Sequence, residues 1–130
     1  MSDEQVRKYA LHVEDDKDFR DMLYRWLTRQ GYDVIQASNL QDANGHILRR
    51  QYDLYISDGS FPLVHEGQED ITAGEKFYRS LRESRPDKFN FVFISSSTNL
   101  ADLASQEGII FMDKTSISRG DFLAYLESLR

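Results

Sequence analysis

The stretch Tyr52-Asp53-Leu54-Tyr55-Ile56-Ser57-Asp58-Gly59-Ser60-Phe61-Pro62 decides how this chain is read. Leu54, Tyr55 and Ile56 make a short apolar run, aromatic and β-branched, of the kind that forms a buried strand. The run ends in a carboxylate, and Gly59 and Pro62 then break the backbone into a loop. A strand that stops at Asp58 holds its carboxylate at the carboxyl end of a sheet, the edge where open α/β sheets bind ligands. Taken alone, the stretch reads first as an aspartate that starts a turn.

The flanking segments repeat the pattern. Upstream, residues 9–13 (YALHV) form a strand that ends in Glu14, Asp15 and Asp16. Asp16 or a neighbour caps a helix carrying Phe19, Met22, Leu23, Trp26 and Leu27 at helical spacing, and Gly31 ends it. Residues 32–37 (YDVIQA) form a second strand. Ser38 with Gln41 reads as a capping box for a helix with Leu40, Ala43, Ile47 and Leu48 on its apolar face. Gly45 weakens that helix by about 1 kcal/mol relative to Ala.

Downstream of Asp58 a polar loop runs to Thr72, which with Glu75 reads as another capping box. That helix carries Phe77, Tyr78 and Leu81 and stops before Pro86. Residues 89–94 (FNFVFI) form a fourth strand, leading into Ser95. A short helix over about 99–106 is closed by Gly108, and 109–112 (IIFM) form a fifth strand ending at Asp113 and Lys114. Ser118 and Asp121 open a last helix through Phe122, Leu123, Tyr125, Leu126 and Leu129. Five strands alternating with five helices imply a doubly wound α/β fold, its parallel sheet covered on both faces.

The chain of 130 residues fits one domain, expected to span 1–130 with a core from about 9 and no residues left for an output domain. The absence of cysteine excludes disulfides, zinc-thiolate sites and thiol nucleophiles. A polar, acidic start and no apolar run of spanning length point to a cytoplasmic protein without membrane insertion. The net charge of −6 argues against direct nucleic-acid binding. Arg79, Arg82, Arg85 and Lys88 read as a solvated face, His12 as a satisfied core or sheet-face histidine, and His46 as a helix-surface residue.

If the strands are parallel, their carboxyl ends bring Glu14, Asp15, Asp58, Ser95 and Lys114 to one rim. Three carboxylates in one cleft repel each other unless a cation sits among them, and oxygen ligands of this kind suit Mg²⁺. A lysine at the same rim supplies the fixed positive charge that a phosphoryl oxygen needs. The Ser95 hydroxyl can donate to another phosphoryl oxygen.

On these residues the chain resembles the response-regulator receiver family, the CheY-like phosphoacceptor domains. The matching features are Val-Glu14-Asp15-Asp16, Asp58 in Asp-Gly-Ser-Phe-Pro, Ser95 after Phe-Val-Phe-Ile, and Lys114 in Phe-Met-Asp-Lys. The resemblance implies a flavodoxin-like (βα)5 fold with strand order 2-1-3-4-5. It also implies that Asp58 accepts a phosphoryl group from a histidine kinase or histidine phosphotransfer protein. Asp15, Asp58 and the backbone carbonyl of Ser60 would ligate Mg²⁺, Glu14 would act through its water shell, and Phe111 would be the aromatic switch. Such a domain is a signalling module and not an enzyme beyond slow self-dephosphorylation. It answers to a downstream protein, with a homodimer as a further option.

Two features depart from the family. Thr115 follows Lys114 where proline is usual, so this loop is expected to run trans and to shift the lysine. The connection from Asp58 to Gly74 spans 16 positions, about twice the usual length. It reads as a mobile, solvated insertion, or else as a lid or an extra metal contact through His65 or Glu66. A degenerate receiver that only docks partners is the alternative these departures keep open. A flavodoxin reading fails because Glu14-Asp15-Asp16 would repel a flavin phosphate. A dehalogenase-type phosphatase reading of Asp16-Lys17-Asp18 fails because Arg20 replaces the expected Thr or Val and no cap region exists.

Overall fold

The computed structural model describes residues 7–129. β1 (Lys8–Val13) leads into α1 (Lys17–Arg29), β2 (Tyr32–Ala37) into α2 (Leu40–Arg49), and β3 (Leu54–Ser57) into the connection after Asp58. Two short strands not anticipated from the sequence follow, β4 (Phe61–Pro62) and β5 (Glu69–Asp70), then α3 (Ala73–Ser84). β6 (Phe91–Ser95), α4 (Thr98–Glu107), β7 (Ile110–Asp113) and α5 (Arg119–Ser128) complete the pattern. The five long strands pair in parallel in the order β2-β1-β3-β6-β7, and β4 and β5 form a separate antiparallel pair. This is the doubly wound order implied by the sequence resemblance. No helix among the described residues is long and apolar enough to cross a membrane.

Strand alternation sorts the side chains into two cores. Tyr55, Phe91 and Phe93 join Leu11, Val13, Phe77 and Leu81 on one face of the sheet. Leu54, Ile56, Val92 and Ile94 join Leu23, Leu27, Phe122 and Leu126 on the other. Successive strand residues point to opposite faces, so a strand buried on both sides reads as a continuous apolar run. That is why 89–94 carries no polar residue beyond Asn90.

Capping follows the sequence in two helices and departs from it in two. Asp16 accepts from the N–H groups of Asp18 and Phe19 and so caps α1; Ser118 accepts from Asp121 N–H and caps α5. At α2 the cap is Asn39, not Ser38. The Asn39 amide accepts from Asp42 N–H at 2.9 Å and donates to the Asp42 carboxylate at 3.0 Å. The Asn39 amide does both at once at a buried position, whereas Ser38, one residue earlier, is only half-buried. At α3, Thr72 occupies the cap position without capping, because its N–H and hydroxyl both donate to Asp70 Oδ1. The preceding hairpin has claimed that side chain.

One surface assignment also changes. Arg85 is largely buried, donating to the Tyr52 carbonyl and the Tyr55 hydroxyl, so it belongs to the packing beneath α3 and not to a solvated face. His12 is buried beside Phe19, as expected of a core histidine, but its Nδ1 has no hydrogen-bond partner among the described residues. Burial, reinforced by the nearby charges of Arg20 and Lys114, pushes its pKa down from 6.5 to about 3. The folded chain therefore refuses a proton that the unfolded chain accepts. Stability from this group is complete above pH 6.5 and falls as the pH drops toward 3, by about 1.4 kcal/mol per pH unit. Between pH 7 and pH 5 the wild type should lose about 2 kcal/mol more than His12→Gln in urea unfolding. Parallel losses in the two proteins would refute a buried neutral His12.

Candidate functional site

The site forms where parallel strands run past their last ladder pair. Asp58 N–H donates to the Val13 carbonyl at 3.0 Å and Glu14 N–H to the Ala37 carbonyl at 2.9 Å, zipping the ends of β3, β1 and β2 together. Lys114 N–H donates to the Ser95 carbonyl at 3.0 Å, doing the same for β7 and β6. These main-chain bonds fix which side chains share the rim. Glu14 is fully buried, Asp15 half-buried and Asp58 8% exposed, and one carboxylate oxygen from each lies within 4.8 Å of the others. Lys114 Nζ donates to Glu14 Oε2 at 2.9 Å and to Asp58 Oδ2 at 3.3 Å.

Lys114 reaches the rim with Thr115 as its neighbour. The Lys114–Thr115 bond is trans, as expected. Asp113 Oδ1 accepts both the N–H and the hydroxyl of Thr115, at 2.9 and 2.8 Å, which closes the turn after Lys114. These bonds hold the Asp113 carboxyl below the usual carboxylate range.

The remaining residues gather around Asp58. Gly59 N–H donates to Asp58 Oδ1 at 2.6 Å, and the Ser57 hydroxyl donates to the Asp58 carbonyl at 2.7 Å. Ser95 is buried, and its Oγ accepts from Ser97 N–H at 3.0 Å. A Cβ at Gly59 would come within 2.8 Å of that oxygen, so the absence of a side chain lets the hydroxyl sit against the turn that carries Asp58. Ser60 is half-buried two residues past Asp58. Phe111 pairs with Phe93 in the sheet and packs, half-buried, on the core beneath α3 and α4. His65 and Glu66 lie exposed between β4 and β5, 3.7 Å from each other, and neither joins the acidic cluster.

Charge at the rim is out of balance. Burial raises the Glu14 carboxyl to about 8, and the neighbouring Asp58 charge adds to this against the opposing pull of Lys114. Burial also raises Asp15. Burial disfavours the Lys114 ammonium, but the Glu14 hydrogen bond and the charges of Glu14 and Asp58 outweigh it and raise its pKa. Three carboxylates face one ammonium, and Glu14 Oε1 is buried with no hydrogen-bond partner among the described residues. An orphaned, desolvated oxygen in an all-carboxylate set fits a hard divalent cation.

Sequence spacing missed two participants. Phe19, read as a core position, places its ring 4.9 Å from Lys114 Nζ. Gly74 donates its N–H to the Gly59 carbonyl at 3.0 Å, and a Cβ there would collide with the Asp58 carbonyl and lie 2.8 Å from Gly59 Cα. Both obstacles are backbone, so neither can swing aside. Gly74→Ala gains about 1 kcal/mol in helix propensity and loses about 1–3 kcal/mol or more to overpacking. We expect a net loss of stability in urea unfolding together with slower chemistry at Asp58; a more stable variant would show that α3 can move away freely.

No family model matches the chain, and no curated protein matches its sequence. Solved structures do match. A CheY-like receiver domain from Methanospirillum hungatei JF-1 has a TM-score of 0.78 at 20% identity, over 95% of this chain and 94% of that one. The chain has the receiver fold. A Thermotoga maritima response regulator in complex with Mg²⁺-BeF shares this fold with a TM-score of 0.76 at 22% identity, over 95% of this chain and 99% of that one. A Burkholderia pseudomallei response regulator with a phosphorylated aspartic acid and a calcium ion gives 0.70 at 23%, over 90% of this chain and 65% of that one. In this chain the β4–β5 hairpin lies between the third long strand and α3.

Proposed function

We propose that this chain is a response-regulator receiver that accepts a phosphoryl group on Asp58 from a histidine kinase or histidine phosphotransfer protein. The observation that carries this reading is the rim itself: Lys114 Nζ spans Glu14 and Asp58, with Asp15 completing the acidic group. Asp58 acts as a carboxylate nucleophile, forming a P–O bond as the donor's P–N bond breaks. Lys114 is already within contact of Asp58 and follows the growing charge on the phosphoryl oxygens. Ser95 offers its hydroxyl to another of those oxygens. Asp15, Asp58 and the Ser60 carbonyl would hold Mg²⁺, with Glu14 acting through water, and the ion would supply positive charge beside the oxygens being transferred.

The phosphoryl group replaces about one negative charge with nearly two at a buried rim. Ser95 is drawn toward it, and Phe111 turns into the space left behind. The face of α4, β7 and α5 then presents a different surface to a downstream protein or to a second copy. This makes the chain a switch and not a turnover catalyst, with self-dephosphorylation at most slow. Incubation with Mg²⁺ and acetyl phosphate should add one phosphoryl mass to the intact protein. No mass gain, or a gain independent of Mg²⁺, would overturn the reading.

A further inference from the structure

We propose that Phe19 is a positioning residue for Lys114, holding the ammonium at the two carboxylates through the face of its ring; this rests on the phosphoacceptor reading of Asp58. Lysine is a compact charge on a flexible four-carbon stem and needs external restraint to stay in one place. Its ammonium has three N–H groups. Glu14 and Asp58 take it from one side at 2.9 and 3.3 Å, and the Phe19 ring centroid lies 4.9 Å from Nζ, within range of a cation–π contact. The lysine side chain is only 19% exposed, which strengthens such a contact by keeping water away.

The ring is itself fixed. Asp16 Oδ1 accepts the Phe19 N–H at 3.4 Å in the first turn of α1, and the ring packs against the second core and tilts toward His12 at 6.5 Å. The next residue holds the other half of the ion pair: Arg20 Nη1 donates to the Glu14 carbonyl at 2.9 Å. One helical turn thus grips both partners, the Lys114 ammonium through Phe19 and the Glu14 backbone through Arg20. A leucine at position 19 would fill much the same space without a negative ring face.

The test separates ring electronics from packing. Phenylalanine 19 is replaced site-specifically by its mono-, di- and trifluoro derivatives, which drain the ring face at nearly constant shape. The rate of phosphoryl gain from Mg²⁺ and acetyl phosphate should fall with each fluorine, reaching roughly three- to ten-fold for the trifluoro ring and for Phe19→Leu. Phe19→Tyr should stay near the wild-type rate, and the thermal midpoints of the fluorinated proteins should not change. In the metal-free protein, the Lys114 ε-methylene protons should resonate upfield under the ring current and lose that shift in Phe19→Leu. Flat rates across the fluorine series, or an unchanged Lys114 resonance, would overturn the positioning role alone. A wild type that gains no phosphoryl mass would remove the proposed function and the positioning role with it.

Discussion

Asp58→Asn should gain no phosphoryl mass from Mg²⁺ and acetyl phosphate, the largest effect expected of any single substitution here. An amide oxygen is too weak a nucleophile to displace the donor's leaving group, and among the described residues only Glu14 and Asp15 share the cluster. Asp15 is half-buried in the same cluster, but in its proposed role as a metal ligand its lone pairs would be directed at the ion and not at the incoming phosphorus. Asp15→Asn should therefore lose metal affinity and phosphorylation together. The Asp58→Asn protein should keep weakened Mg²⁺ binding through Asp15 and Glu14. It should also fold at least as stably at neutral pH, since removing the Asp58 charge relieves the repulsion that helps raise Glu14. Retention of the full phosphoryl mass in a folded Asp58→Asn protein would falsify the assignment of the acceptor.

Phe61→Ala should cost about 3–5 kcal/mol, a large part of the 5–15 kcal/mol by which a domain of this kind is stable. The segment between Asp58 and α3 reads as a mobile insertion in sequence, because it is polar and short of apolar anchors. Phe61 is nonetheless fully buried in the first core. From that anchor β4 pairs with β5, Phe61 opposite Asp70 and Pro62 opposite Glu69. The Leu63 carbonyl accepts from Gln41 N–H at 2.9 Å at the start of α2, and Asp70 holds Thr72 at the start of α3. Removing 63–70 would strip both helix starts of these partners. Removing only 65–67, the hairpin tip, leaves a three-residue loop between Pro62 and Glu69 and should change stability by no more than about 1 kcal/mol. Urea unfolding of Phe61→Ala and of the 65–67 deletion checks the contrast; equal, small losses would show that Phe61 anchors nothing. If the tip also screens the acyl phosphate from water, its removal will speed hydrolysis of phospho-Asp58.

Much of this molecule is legible in its sequence. The periodicities of 32–37 and of the stretch from Asp16 to Gly31 located β2 and α1 closely, because each element is made from neighbours in sequence. The rim was legible for a related reason. In a parallel sheet every strand delivers its carboxyl end to the same edge, so an acid or a lysine just past a strand is placed by topology alone. Glu14, Asp15, Asp58 and Lys114 needed only that rule to be brought together.

What failed were inferences that needed a distance. Ser38 and Thr72 had the right spacing for capping boxes, but spacing cannot say which of two adjacent polar groups is buried or already claimed by a hairpin. Arg85 looked like one more surface charge until Tyr52 and Tyr55 closed over it. The sequence by itself determined the alternation of elements, the parallel sheet and the chemistry of its rim, since these follow from local periodicity and from where strands stop. Only the tertiary structure decided that Lys114 bridges Glu14 and Asp58, that Phe19 lies against its ammonium, and that Gly74 touches the turn carrying Asp58. Those contacts join residues up to 100 positions apart, and they are set by how helices settle on the sheet, which no local pattern of residues encodes.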